Sequence, residues 1–505
     1  MFNVKKELNV EEAILDSFAK GYHGYLEMPL SRQTFLLVGV VASIVGSVAI
    51  LWAGFLNIAE GARYQNRADA NFNEEVIIPA YRGIITDRFG EPLVKNVSTF
   101  SVFLNVSELL KNDSEKAETV VQTLANLFFL EPDLLRQKIS KINLENQSIL
   151  SVAKGIGPED VVALNSLGLS GVIVKEDYQR EYIDGPVFAH ILGYDGQVQA
   201  GLESVYDHIL AGRDGVSIVF ENAKGEKLDT KVVSIPSDGY QLITTIDAGL
   251  QKYFYNRLSS GLWALGRDTG VGIAMNPKNG EVLALINLPS FNNNLFTTTK
   301  FREEKVRILN SSAKPLFNRA VSGLYNPGST IKPLVAIAAL REKIVTPEFT
   351  IFSKGFIEVP NPYDPDKPSR FVDWKPHGWV DIHSALARSS NVYFYALGGG
   401  FPKSEAELTD GGAGIQGLGI AKLNSYWQKF LLNTKTGIDL PAENSGFLPD
   451  AEEKEIRTGQ IWRVGDTYNV SIGQGDLLIT PIQLVNFISS LADGGIMYRP
   501  KIVQK

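Results

Sequence analysis

Cysteine is absent from this 505-residue chain, and histidine occurs only five times. The first absence excludes disulfide frameworks, thiolate zinc sites and cysteine nucleophiles. The second leaves little room for a polyhistidine metal centre. An excess of positive charge is also missing: 49 Lys and Arg stand against 56 Asp and Glu, a net charge of −7. That balance argues against a nucleic-acid partner, which needs a basic face or tail. No solenoid-type repeat is visible. With 44% hydrophobic and 21% charged residues, the composition is that of a globular protein long enough for several domains. A cysteine-free chain suits an oxidising compartment without specifying one. Serine, lysine and carboxylate chemistry remain.

One stretch departs from the globular pattern. Gln33 to Ala59 carries no charged residue, and Phe35 to Leu56 is almost wholly apolar. At ~1.5 Å per residue such a helix covers roughly 33 Å, enough to cross a bilayer core. Core helices of soluble proteins rarely stay uncharged for so long. A polar N-terminal segment precedes the run and no small-residue cleavage site follows it. Residues 32–59 therefore read as one uncleaved transmembrane anchor rather than a signal peptide. Lys20 and Arg32 flank one end and Arg63 and Arg67 the other, so charge leaves the orientation open. Phe35, Trp52 and Phe55 read as lipid-facing or interfacial aromatics.

Beyond the anchor, residues 60–245 read as one α+β module. Short β-branched runs (Val76–Ile78, Phe100–Leu104, Val216–Phe220) alternate with Gly, Asn and Asp turn signals. An amphipathic helix is predicted over Glu115–Leu130. The strand signal Gln241–Ile246 leads to a second predicted helix, Asp247–Leu265, and residues 246–505 read as a larger α/β domain. Pro360–Pro376, rich in Pro, Asp and Lys, reads as an exposed loop. Asp364, Asp366 and Asp373 within it, and His377 just after it, could crowd a cation, but a solvated loop is the simpler reading. Trp374 and Trp379 either line a cleft or pack structurally.

The chemical signal is Tyr325-Asn326-Pro327-Gly328-Ser329-Thr330-Ile331-Lys332-Pro333, just ahead of the apolar helical run Leu334–Leu340. Proline is tolerated in a first helical turn and disfavoured deeper, so a helix must begin close to Ser329. Its macrodipole would favour negative charge developing at the Ser329 hydroxyl. Lys332, one turn along the same face, comes within reach of that hydroxyl. A desolvated lysine with a lowered pKa can serve as the base a serine nucleophile needs. Spacing alone is weak: Ser17-Lys20, Ser151-Lys154 and Ser311-Lys314 match it too. Context is supplied by Ser389-Ser390-Asn391, a second hydroxyl and an amide suited to proton relay and substrate hydrogen bonding. Ser290-Phe291-Asn292 matches that pattern as well. Ser-x-x-Lys followed by Ser-x-Asn is nonetheless the ordered set of penicillin-binding proteins and serine β-lactamases.

At this point the sequence resembles the class B penicillin-binding proteins, monofunctional D,D-transpeptidases, over nearly its whole length. Arg82-Gly83-Ile84-Ile85-Thr86-Asp87-Arg88 with Gly90 resembles the signature opening the family's non-catalytic pedestal. His190-Ile191-Leu192-Gly193-Tyr194 and Gly201-Leu202-Glu203 resemble later pedestal blocks. Asn318-Arg319-Ala320, Gly465-Asp466-Thr467 and Ser471-Ile472-Gly473-Gln474-Gly475 match catalytic-domain blocks. The resemblance implies a multidomain fold: a cytoplasmic segment (1–31), the single membrane helix (32–59), an α+β pedestal (60–245) and a penicillin-binding transpeptidase domain (246–505), an antiparallel sheet flanked by helices. It places both modules outside the bacterial cell membrane.

By the same resemblance Ser329 attacks the D-Ala-D-Ala carbonyl of a peptidoglycan stem peptide, and Lys332 accepts its proton. Ser389 protonates the departing D-alanine, and Asn391 orients Lys332 and the donor peptide. Gly328, Thr330 and Ser390 are candidate substrate-binding positions. The Ser329 N–H is one oxyanion donor. No cofactor and no metal is implied. Lys435-Thr436-Gly437 imitates the family's third motif but continues into Ile438-Asp439-Leu440-Pro441, a segment that the family carries at this point and that is not its active-site strand. The genuine motif is expected after Arg499-Pro500, beyond Lys505, so the domain is expected to lack that strand. Implied partners are stem peptides, β-lactams, the membrane and a polytopic glycosyltransferase of the SEDS (shape, elongation, division and sporulation) family, with a lean towards the elongation branch. Two rival readings stand: a largely non-catalytic activator of such a glycosyltransferase, or a β-lactam sensor or β-lactamase relative.

Overall fold

The computed structural model describes residues 32–58, 73–111, 113–142, 149–196, 198–221, 227–361, 364, 366–401, 407–412 and 414–504. The expected cytoplasmic segment 1–31 lies outside them. The chain divides into two compact units, residues 1–76 with 217–233, and residues 77–216 with 234–505. The first contains helix α1 (Arg32–Ile58) and most of a sheet in which strand Gly215–Glu221 lies between Asn73–Ile78 and Lys227–Ser234. Within α1, Phe35–Phe55 has a mean hydropathy of 2.5 and buries none of it inside the protein. Trp52 and Phe55, with ring centroids 6.0 Å apart, are exposed on it, as interfacial aromatics would be. It is the one helix among the described residues long and apolar enough to cross a membrane.

In the second unit the pedestal is organised by one long strand, Pro92–Asn105. It pairs antiparallel with Val172–Tyr182 from Val94↔Tyr182 to Leu104↔Val172, and with Ile149–Ile156 and Ile85–Thr86. Its alternate residues Val102 and Leu104 are fully buried, the period-2 signature of a strand with one covered face. Helix Ser114–Leu127 covers that face with Val120, Val121 and Leu124. The helix ends three residues before its sequence limit because Phe129 turns left-handed, with φ 54°. The strand signal over Gln241–Ile246 shrinks to Leu242–Ile243, parallel to Ile85–Thr86.

Two pedestal blocks far apart in sequence meet here. Arg82 Nε donates to Glu203 Oε2 at 2.7 Å and Arg180 Nε to Glu203 Oε1 at 2.9 Å, while the Tyr182 hydroxyl donates to Oε1 at 3.2 Å. Glu203 is fully buried. Removing one partner of a buried ionic cluster leaves the others uncompensated. Glu203→Ala is therefore expected to destabilise the second unit by about 3–5 kcal/mol, read as a lowered midpoint in urea or thermal unfolding. A midpoint within error of wild type would refute it.

The pedestal and the catalytic module pack as parts of one unit. Tyr182 N donates to Asn294 Oδ1 at 2.8 Å, and Gln251 Nε2 donates to both Val187 O at 2.7 Å and Leu285 O at 2.9 Å. In the catalytic module, strands Gly270–Met275 and Val282–Leu288 form an antiparallel pair. Helix Ala248–Ala264 packs on it through Leu250, Phe254, Leu258 and Leu262. A second, larger core joins helices α2 (Lys332–Arg341), α3 (Asn391–Gly399) and α4 (Val464–Ser471), with Val335, Ala338, Phe394 and Tyr468 buried. An antiparallel pair flanked by helices is the architecture expected for residues 246–505. The candidate site lies where α2 and α3 begin.

Candidate active site

Ser329 sits in a 3-10 turn, Gly328–Ile331, that runs directly into α2, with Pro333 in the first turn of the helix. The turn is held from behind by the block Ser471–Gly475. Gly328 N donates to Gly473 O at 2.8 Å, and Asn326 Nδ2 donates to Gly475 O at 2.8 Å and to Leu477 O at 2.7 Å. Gly473 has φ +75°, and a Cβ there would lie 2.1 Å from Gly328 O. Only glycine fits. Asn326 and Gly473 are thus supports of the Ser329 turn. Nothing local in the sequence marks either residue for that role. Ser329 itself is exposed.

Lys332 is 1% exposed, among the largest buried side chains of the molecule. Its ammonium donates to Ser389 O at 2.8 Å, Ser389 Oγ at 3.1 Å and Asn391 Oδ1 at 2.8 Å. The Ser389 hydroxyl in turn donates to Ser329 Oγ at 2.9 Å. Four residues from two separated motifs therefore form one chain of contacts. The order differs from the spacing argument: all three ammonium donors go to the Ser389–Asn391 turn, and Ser389 stands between the lysine and Ser329. Burial lowers the Lys332 pKa to about 8, partly opposed by the Asp373 carboxylate. The Phe394 ring, 5.5 Å from Nζ, is part of that dry surrounding. Ser389 adopts φ 53°, a left-handed conformation costly for a residue with a side chain.

Three residues singled out for substrate contact have other employment. Ser390 is fully buried: its hydroxyl donates to Asp373 Oδ2 at 2.9 Å and caps α3, so it does not face substrate. The Thr330 hydroxyl donates to Pro327 O at 2.6 Å, closing the turn. Gly328 gives its N–H to Gly473. The reading of Pro360–Pro376 as a solvated loop is corrected at its end. Strand Ser369–Val372 pairs with Phe356–Val359, and the side chains of Asp373 and His377 are fully buried, because tertiary packing folds them under the start of α3. Trp374 is exposed and donates Nε1–H to Arg388 O at 3.3 Å, while Trp379 packs edge-on to Phe352.

The competing motif copies separate cleanly. Ser151 lies on strand Ile149–Ile156, and Lys314 closes a turn with φ 48° onto Ser311 O. Ser17 lies outside the described residues. Ser290 donates to Pro186 O at 2.6 Å. Lys435 is exposed and on no strand. Its neighbours Thr436 and Gly437 give their N–H groups to Glu443, at 2.6 and 3.0 Å, so this copy of the third motif is a carboxylate-closed loop.

Residues 270–505 match the penicillin-binding protein transpeptidase domain, and residues 77–244 the penicillin-binding protein dimerisation domain. The peptidoglycan D,D-transpeptidase MrdA of Haemophilus influenzae is 29% identical over 481 residues, 89% of this chain and 68% of that protein. The solved complex between PBP2 and MreC from Helicobacter pylori aligns with a TM-score of 0.68 at 27% identity, covering 85% of this chain and 79% of that one. A peptidoglycan synthase complex, solved for its coordination of polymerization and crosslinking, aligns at 0.59 and 25% identity over 94% and 80%. This chain belongs to the class B penicillin-binding transpeptidases.

Proposed function

We propose that the protein cross-links peptidoglycan stem peptides as a serine D,D-transpeptidase, with Ser329 as the acylated residue. The observation that carries this is the contact chain from exposed Ser329 through Ser389 Oγ to buried Lys332. With Lys332 neutral, the hydrogen bonds along the chain reverse: Ser329 gives its proton to Ser389 Oγ as Ser389 gives its own to the amine. Ser329 Oγ then bonds the penultimate D-alanine carbonyl carbon, and the Ser329 N–H faces the developing oxyanion. Collapse breaks the peptide bond, and the proton returns from Lys332 through Ser389 to the leaving D-alanine. An amine from a second stem peptide displaces Ser329 and completes the cross-link. A β-lactam amide enters the same sequence, and its acyl-enzyme persists. The test is covalent labelling by a fluorescent penicillin, with the adduct mapped by peptide mass to Ser329.

Anchoring in the bacterial cell membrane, with both modules on the extracytoplasmic face, is the reading that the long apolar helix α1 supports. The MrdA relatives favour a role in cell shape and elongation. As partner we propose a polytopic glycosyltransferase of the SEDS family. Gly39, Ala42, Ser43 and Gly46 on α1 permit close helix–helix approach in lipid, and the likeness to a polymerizing and crosslinking complex supports the pairing. Replacing residues 35–56 by polyleucine is expected to reduce co-purification with that glycosyltransferase severalfold. Undiminished co-purification would reduce the span to a tether.

A further inference from the structure

The least expected polar group near the site is Asp373. Its Oδ2 accepts from Ser390 Oγ at 2.9 Å, Asn391 N at 2.7 Å and Val392 N at 3.0 Å, and its Oδ1 accepts from Trp374 N at 2.9 Å. The two amides belong to the first turn of α3, where N–H groups have no partner within the helix and a negative charge is favoured. Ser390 already caps that helix, so Asp373 is a second acceptor laid over the first. On the acceptor side of the same tripeptide, Ser389 O, Ser389 Oγ and Asn391 Oδ1 hold Lys332. The Ser389–Asn391 turn is thus clamped twice, its donors by a carboxylate and its acceptors by an ammonium. The left-handed Ser389 lies at the start of this clamp, and such a conformation persists only where its surroundings enforce it.

We propose that Asp373 is a positioning residue for acylation: its carboxylate holds the Ser389–Asn391 turn in the geometry that places Ser389 Oγ between Lys332 and Ser329. It touches neither substrate nor the reacting atoms and acts through that turn. The proposal rests on the reading of Ser329 as nucleophile and Lys332 as base. A small displacement of a relay atom is costly, since about 1 Å of misplacement can reduce a rate by ~10²-fold. The charge has a second consequence. Asp373 favours the protonated form of Lys332, against the larger effect of burial. Other charged and titratable groups surround the pair. His377 Nε2 is 3.6 Å from Asp373 Oδ1, Arg388 Nη1 donates to His377 O at 3.2 Å, and Lys375 lies over the Trp374 ring. On α3, the Tyr395 hydroxyl donates to Val372 O at 3.2 Å, and burial and then Asp373 push its pKa up to about 12.

The test uses the full-length protein and penicillin acylation rates measured from about pH 5.5 to 9.5. Asp373→Asn keeps the volume and one acceptor oxygen but removes the charge. Its acid limb is expected to move down by about one pH unit, because Lys332 then loses its proton more easily. Its plateau rate is expected to fall about tenfold, and that of Asp373→Ala about 10²-fold. His377→Gln is expected to leave the limb in place. If Asp373→Ala does not fold, Asp373→Asn alone decides. An Asp373→Asn limb and plateau equal to wild type, whatever the change in melting temperature, would show a structural role only and overturn the proposal. So would a limb that moves in His377→Gln and not in Asp373→Asn. A wild type that acylates at Ser329 while Asp373→Asn is unaltered defeats the proposal alone. A wild type without an acyl-Ser329 adduct defeats the nucleophile reading and this proposal with it.

Discussion

Ser329→Ala is expected to abolish capture of a fluorescent penicillin, lowering acylation by about 10⁴-fold or more. Among the described residues, the neighbouring hydroxyls of Ser389 and Ser390 are otherwise engaged. Ser389 Oγ, the nearest, is bonded to both Ser329 and the Lys332 ammonium, and Ser390 is buried against Asp373. The loss should come without unfolding, because Ser329 is exposed and surface substitutions of this kind usually change stability by no more than about 0.5 kcal/mol. Two controls sharpen the result. Lys435→Ala should acylate at the wild-type rate, since Lys435 is exposed on a loop closed by Glu443. The mapped adduct should sit on Ser329 and not on Ser311. Labelling that survives Ser329→Ala, or a folded but unreactive Lys435→Ala, would reverse the assignment of the two motifs.

The second large effect is set by Lys332. As a base it must be neutral, and burial lowers its pKa from 10.5 to about 8. Acylation should therefore rise with pH and level off above about pH 8, falling about tenfold per unit below it. Lys332→Arg keeps a cation and hydrogen-bond donors but cannot lose its proton in this range. It is expected to acylate about 10²–10⁴-fold more slowly at every pH and to lose the limb near pH 8. A Lys332→Arg protein with a wild-type limb would assign that titration to another group. A flat wild-type profile from about pH 6 to 9 would remove Lys332 from the role of base.

The turn that carries Ser329 was legible because it rests on local rules. Pro333 can occupy only the start of a helix, and the helix indeed begins as the 3-10 turn Gly328–Ile331 running into α2. The long apolar helix Arg32–Ile58 was equally legible, since a long run without charge has few alternatives. The Ser389-Ser390-Asn391 motif was legible only in outline. Two adjacent serines look alike in sequence. The left-handed Ser389 sends one hydroxyl to Ser329 and leaves the other buried under Asp373.

Legible from sequence alone were the order of the two modules, the long apolar helix and the residue types of a serine–lysine site, because each depends on composition or on neighbours within one helical turn. That Lys332 reaches Ser329 through Ser389 emerges from the fold. It alone revealed that Gly473 stacks on Gly328, that Arg82 and Arg180 share Glu203, and that Asp373 caps α3. Each of these joins residues from separate stretches of chain. A carboxylate in a Pro- and Lys-rich stretch carries no local mark of burial. Its environment is set by the α3 amides that fold over it, and those amides find no partner within their own helix.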